Sequence, residues 1–163
     1  MTVDVITRTE IDRPRAEVAA YVSDPDNAIA WYENITSVRW ESPPPAKVGS
    51  RIAFVARFLG RELAYTYQVR EIVGDERFVM STAQGLFPME TTHSWEDTAS
   101  GGTRMTLRNR GEPAGFSRIA APALAAAMRR ANRKDLARLK ALLETRGAPD
   151  HQPRRSGGSS PSS

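Results

Sequence analysis

Residues 51–58 and 62–70 alternate apolar and polar side chains on either side of Gly60-Arg61, and no other feature constrains the chain as much. A Gly-X pair suits a two-residue hairpin turn. That turn predicts Phe58 opposite Leu63, Ala56 opposite Tyr65, Phe54 opposite Tyr67 and Ile52 opposite Val69. One face of the hairpin is then apolar and aromatic, while Arg51, Arg57, Glu62 and Arg70 lie on the other.

The same period of two recurs elsewhere. Val3, Val5, Thr7, Thr9 and Ile11 alternate with more polar neighbours up to the break at Pro14. Strand signals return at Ile35 to Trp40, stop at Pro43-Pro44-Pro45 and restart after Val48-Gly49. Beyond the Gly74-Asp75 turn, Phe78, Met80 and Thr82 share a face, as do Met89, Thr91, His93 and Trp95 on the next strand. Turn residues at 97–102 lead to a last strand with Met105, Leu107 and Asn109 on one side. About seven strands are expected.

Helices are expected in two places. After the first strand, Asp12 is positioned to cap a short helix with Pro14 in its first turn and Val18, Ala19, Tyr21 and Val22 as its apolar stripe. Ser23 or Asp24 then caps a second short helix from Pro25, carrying Ala28, Ile29, Trp31 and Tyr32. Between about Ser117 and Thr145, Leu124, Met128, Ala131, Leu136, Leu139 and Leu143 recur at helical spacing, which predicts one long amphipathic helix with Pro122 in an early turn. That order, with a long helix after the strands, predicts a sheet curled around a helix with a cavity between them. Residues 147–163, rich in Gly, Ser, Pro and Arg, have too little apolar surface to offset their ordering entropy and are expected to form a disordered tail.

Composition narrows the chemistry. A chain of 163 residues fits one domain, here 1–146, with a core that needs neither disulfides nor metal. There is no Cys, which removes thiol catalysis and fits a reducing cytoplasm. No basic start with an apolar run opens the sequence, and nowhere do about 18 apolar residues run together, so an unexported, non-spanning chain is expected. With only His93 and His151 as imidazoles and no His-Glu-x-x-His helix, no metal site is expected. No Gly-rich phosphate loop precedes a Lys-Ser/Thr pair, and no cofactor is expected. Asp24 and Asp26 sit near helix starts, where capping explains a carboxylate. The formal net charge is +4, and residues 118–163 hold the excess, with 10 Lys/Arg against 3 Asp/Glu. Arg129, Arg130, Arg133, Lys134, Arg138 and Lys140 fall mostly off the apolar stripe of the long helix. An Arg-rich face of that kind is an ordinary solvated face or a weak contact for an anionic surface.

Ile11-Asp12-Arg13-Pro14, Val18, Tyr21-Val22-Ser23-Asp24-Pro25-Asp26-Asn27, Trp31, Val48-Gly49-Ser50, Phe58-Leu59-Gly60-Arg61 and Gly101-Gly102-Thr103-Arg104 stand where the order of elements needs them. Together they resemble the polyketide cyclase/dehydrase branch of the START-like superfamily, the SRPBCC proteins, over about residues 3 to 146. The resemblance implies an α+β helix-grip fold of the START and Bet v type. In it a curved, seven-stranded antiparallel sheet surrounds a long C-terminal helix and encloses an elongated apolar cavity, with two short helices after strand one. Members of that superfamily include carriers and enzymes, so fold alone does not assign a reaction.

The inner face expected from the alternation carries Phe54, Phe58, Tyr65, Tyr67, Phe78, Met80, Met89, Trp95 and Met105, joined by Leu124 and Met128 from the helix and Trp31 near one end. Such a lining suits a flat or flexible apolar ligand, and the same residues at strand spacing also describe a filled core. Thr91, His93 and Asn109 add hydrogen-bonding groups to that face. Three functions follow. The first is binding of a small hydrophobic molecule, lipid-like or polycyclic, by a monomer or homodimer. The second is a cofactor-independent cyclase or dehydratase in which His93, whose imidazole titrates near neutrality, acts with Tyr65 or Tyr67 as acid, base or orienting group. The third is contact with nucleic acid or an anionic membrane through the basic helix, nucleic acid being the less expected partner.

Overall fold

The structure is a computed structural model, described here for residues 2–85, 88–112 and 119–146. The tail at 147–163 and the expected helix start at Ser117 lie outside those residues. The chain runs through β1 (Val3–Ile11), α1 (Arg15–Val22), a single 3-10 turn (Pro25–Asn27) and α2 (Ala28–Trp31). It continues through β2 (Ile35–Trp40), β3 (Arg51–Phe58), β4 (Arg61–Val73), β5 (Arg77–Gln84), β6 (Met89–Asp97), β7 (Thr103–Gly111) and α3 (Ala121–Arg146).

All seven strands form one antiparallel sheet in the order β1-β7-β6-β5-β4-β3-β2. The first two strands in sequence are therefore opposite edges of the sheet, and α1 and α2 form the crossing between them. Register shifts at Ile35/Ser37, Thr66/Tyr67 and Val69/Glu71 interrupt the ladders. An extra residue on one strand bends it and increases its twist, so the long β4 and its neighbours curve, and α3 packs into the concave side against β1 and α2.

The β3–β4 hairpin forms two residues away from the expected register. Phe58 pairs with Arg61, Ala56 with Leu63, Phe54 with Tyr65 and Ile52 with Tyr67. The central turn residues are Leu59 at φ 51° and Gly60 at φ 76°, not Gly60-Arg61. Two successive left-handed residues make the turn whose twist matches the flanking strands, and that match outweighs the cost of placing Leu59 there. Because side chains alternate with period two, a shift of two leaves every residue on its expected face.

Helix caps show a second difference. Asp12 does not cap α1. The flanking position is Pro14, with no side-chain cap bond, and the Asp12 backbone N–H instead donates to Glu144 Oε1 of α3 at 3.0 Å. Asp24 does cap the following turn, its Oδ1 accepting from Asp26 N at 3.0 Å, while Asp26 Oδ1 accepts from Trp40 Nε1 at 2.8 Å. Both carboxylates are thereby occupied in shaping this turn and tying it to the end of β2.

The buried apolar residues fall into two clusters. The larger joins Ile11, Val18, Trp31, Ile52, Phe78, Trp95, Met105, Leu107 and the Leu136, Leu139 and Leu143 stripe of α3. The smaller, around Val3 and Leu124, gathers Phe58, Leu63, Ile119 and Met128. The cavity described next is lined from both. No helix among the described residues is long and apolar enough to cross a membrane.

Candidate ligand-binding cavity

Between the concave face of the sheet and α3 lies a cavity of about 200 Å³. Its walls include Phe54, Phe58, Tyr65, Tyr67, Phe78, Met80 and Met89 from the strands, Trp31 and Tyr32 from the α2 region, and Leu124, Met128 and Ala131 from α3. Of the residues expected on the inner face, all reach this space except Trp95 and Met105. Those two are 2% and 0% exposed in the large core cluster and are absent from the lining. They share the face, but they sit at the end of β6 and β7 that the packed core fills.

Aromatic rings organise one wall. Phe54 stacks on Tyr65 at 5.7 Å between centroids, and Tyr67 meets both edge-on, at 5.9 Å from Phe54 and 5.0 Å from Tyr65. Burial pushes the Tyr65 hydroxyl well above its ordinary range, with Tyr67 adding to the effect. It pushes Tyr67 up to about 12, against the hydrogen bond with Thr91. Both tyrosines are neutral at physiological pH.

Two polar groupings face the cavity. In the first, Thr91 Oγ1 donates to Asn109 Oδ1 at 3.0 Å, which uses its only proton. Tyr67 Oη, 3.0 Å from Thr91 Oγ1, is then the donor in that pair. In the second, Tyr32 Oη lies 3.0 Å from His93 Nε2. His93 Nδ1 is buried without a partner among the described residues, and burial lowers the imidazole pKa to about 4. The ring is neutral at pH 7, with one nitrogen occupied by Tyr32 and the other buried.

Sequence reasoning missed two lining residues of α3. Asn132 and Asp135 are 7% and 3% exposed. Asp135 Oδ1 accepts from the Glu33 backbone N–H at 3.1 Å, which ties α3 to the segment after α2. Burial raises its pKa to about 6, against the pull of the Glu33 hydrogen bond. The Asn132 side-chain nitrogen has no partner among the described residues. A signal for both was present: 128, 132, 135, 139 and 143 run at spacings of four and three, the period of one helix face. Reading that face by its apolar members alone left its two polar members outside. Among the described residues no three His, Cys, Asp or Glu side chains converge as a metal site would need.

A sheet curved around one long helix with a cavity between them is a known arrangement, and the sequence itself matches, over residues 2–144, the family model described as polyketide cyclase/dehydrase and lipid transport. The chain belongs to this family. The helix-grip fold of this polyketide cyclase/dehydrase and lipid transport domain is shared with solved structures of low sequence identity. A protein of Thermus thermophilus superimposes with a TM-score of 0.73 at 18% identity, covering 90% of this chain and 100% of that one. Major latex-like protein 151 of Panax ginseng gives 0.67 at 14%, covering 91% and 99%. A START superfamily protein of Mycobacterium smegmatis gives 0.65 at 16%, covering 88% and 95%. No curated protein matches the sequence.

Proposed function

We propose that this protein binds one small, predominantly apolar molecule in the cavity between its sheet and α3. The observation that carries the reading is that the core stops short of itself. Side chains that could have met across the centre, among them Phe54, Phe58, Met80 and Met128, line an open space instead. An empty apolar cavity forfeits the dispersion contacts of its walls, so a chain that keeps one gains when a ligand fills it. Polar groups set among the apolar ones, including Tyr32, His93, Tyr67, Thr91, Asn109, Asn132 and Asp135, are of the kind that orient a ligand within an apolar site. Family and fold are consistent with this reading.

Native mass spectrometry of the purified protein tests it directly, with a co-purifying apolar mass as the expected result. Titration with the uncharged apolar dye Nile red gives a second readout, expected to be saturable with one site. A protein that carries no bound mass and gives no saturable dye signal would sink the proposal.

Proton transfer by His93 has less support. A base held at about pKa 4, with Nε2 engaged by Tyr32 and Nδ1 buried, is poorly matched to abstraction near neutrality. Tyr65 and Tyr67 are held neutral and serve better as hydrogen-bonding groups than as acids. In an enzyme reading their contribution is orientation of a folded substrate.

The outward face of α3 supports a subsidiary contact. Arg129, Arg130, Arg133, Lys134 and Arg138 make no ion pair among the described residues, in contrast to Lys140, which is bound to Glu144 at 2.7 Å. Sedimentation with anionic vesicles that weakens steeply between low and high salt is the expected result. Retention independent of salt would remove this contact.

A further inference from the structure

Asp135 is the one carboxylate, and at neutral pH the one charged side chain, among the described residues that line the cavity. No Lys or Arg shares that lining, and no cation lies within ion-pair distance of Asp135 among the described residues. The basic residues around it in sequence, Arg133, Lys134 and Arg138, are exposed, and Arg138 acts on it only through charge at longer range. Among the described residues its only hydrogen bond comes from the Glu33 backbone N–H to Oδ1, which leaves the second oxygen without a partner there.

A carboxylate taken out of water is costly unless a cation or several donors meet it. Here the fold supplies one donor, and an alanine or leucine at this stripe position would have packed without that cost. The surroundings favour positive charge in two further ways. Ring faces attract cations, and Trp31, Tyr32, Phe54, Tyr65, Tyr67 and Phe78 form much of the wall. The Tyr32 hydroxyl is raised by burial and then by the charges of Asp135, Tyr67 and Tyr65, so these groups act on a common space. Neutral phenol oxygens there can accept hydrogen bonds from an ammonium group.

We propose that the ligand of this cavity is an apolar, preferably aromatic, body carrying a basic nitrogen, and that Asp135 is the residue that selects it. This rests on the cavity being a ligand site. The ammonium group meets the free oxygen of Asp135 at the α3 side, and the apolar body extends toward Phe58, Leu63 and Met128. The same charge excludes ligands whose head is a carboxylate, such as fatty acids.

The test compares three probes of one shape: naphthylethylamine, naphthylethanol and naphthylacetic acid, by isothermal titration at neutral pH. For the wild-type protein the amine is expected to bind about tenfold or more tighter than the alcohol, the return from one charge-assisted hydrogen bond. The acid should bind more weakly than the alcohol. In Asp135→Asn, which keeps an Oδ1 acceptor for the Glu33 N–H, the amine-to-alcohol ratio should fall to about one. Equal binding of amine and alcohol by the wild-type protein would overturn the proposal even if the variant does not fold, as would an amine preference that survives Asp135→Asn. Binding of none of the three probes would overturn the cavity reading itself, and the proposal with it.

Discussion

Burial acts on His93 and Asp135 with opposite consequences for acid stability. The His93 pKa falls from 6.5 to about 4 in the folded state. Between those values the unfolded chain holds the extra proton, so this group costs stability as pH drops from 6.5 toward 4. The Asp135 pKa rises from 3.8 to about 6. There the folded chain holds the proton, and this group costs stability as pH rises from about 4 through 6. The two slopes oppose each other across the same window. Asp135→Asn removes one of them, and its urea-unfolding curves from pH 6.5 to 4 should fall more steeply than the wild-type curves, by up to about 1.4 kcal/mol per pH unit. Parallel curves would show that Asp135 is not the titrating group. A different residue effect belongs to Leu59, half exposed at the hairpin tip with φ 51°. A left-handed non-glycine residue costs roughly 1–2 kcal/mol, and Asn or Gly tolerates that conformation better. Leu59→Gly is expected to raise the unfolding free energy by about 1 kcal/mol, measured by denaturant titration.

Along α3 the physical setting changes from end to end. Leu139 is fully buried in the large core cluster, whereas Leu124, equally inaccessible, belongs to the small cluster and faces the cavity. Leu139→Ala removes contacts on all sides and is expected to cost about 2–5 kcal/mol. Leu124→Ala enlarges a space already open, loses fewer neighbours and should fall at or below the lower end of that range. Equal losses at the two positions would mean that the cavity is closed in solution. Elements of this kind were largely legible in the sequence. Ile35 to Trp40 became β2, Val3 to Ile11 became β1, and the α3 stripe held through Leu143. What slipped were choices between near-equivalent local solutions. The hairpin turn moved by one residue because backbone twist, not the presence of a Gly-X pair, selects it. Asp12 does not cap α1 because the helix begins at Arg15 and the flanking position falls on Pro14, two residues further on, while the Asp12 backbone N–H is taken by the Glu144 carboxylate, 132 residues away.

For the molecule as a whole, the cavity is the property to perturb. Ala131 lines it from α3 with a side chain small enough to leave room. Ala131→Leu should occupy that room, lower affinity for the uncharged dye Nile red about tenfold or more, and leave the thermal midpoint unchanged or raised, since its added methyl groups meet space and not packed atoms. A lowered midpoint with dye affinity retained would place the open space elsewhere. By itself the sequence determined the strands, their buried faces, the long helix and the family, because each is written in a local period of two or of three to four residues. It could not distinguish an open cavity from a filled core, since Phe54 and Trp95 carry the same signal and only one of them borders the space. That distinction, the meeting of Tyr32 with His93 across 61 residues and the anchoring of Asp135 at Glu33 across 102 were decided by tertiary structure. They depend on how the curved sheet and α3 close on each other, and no local period records that distance.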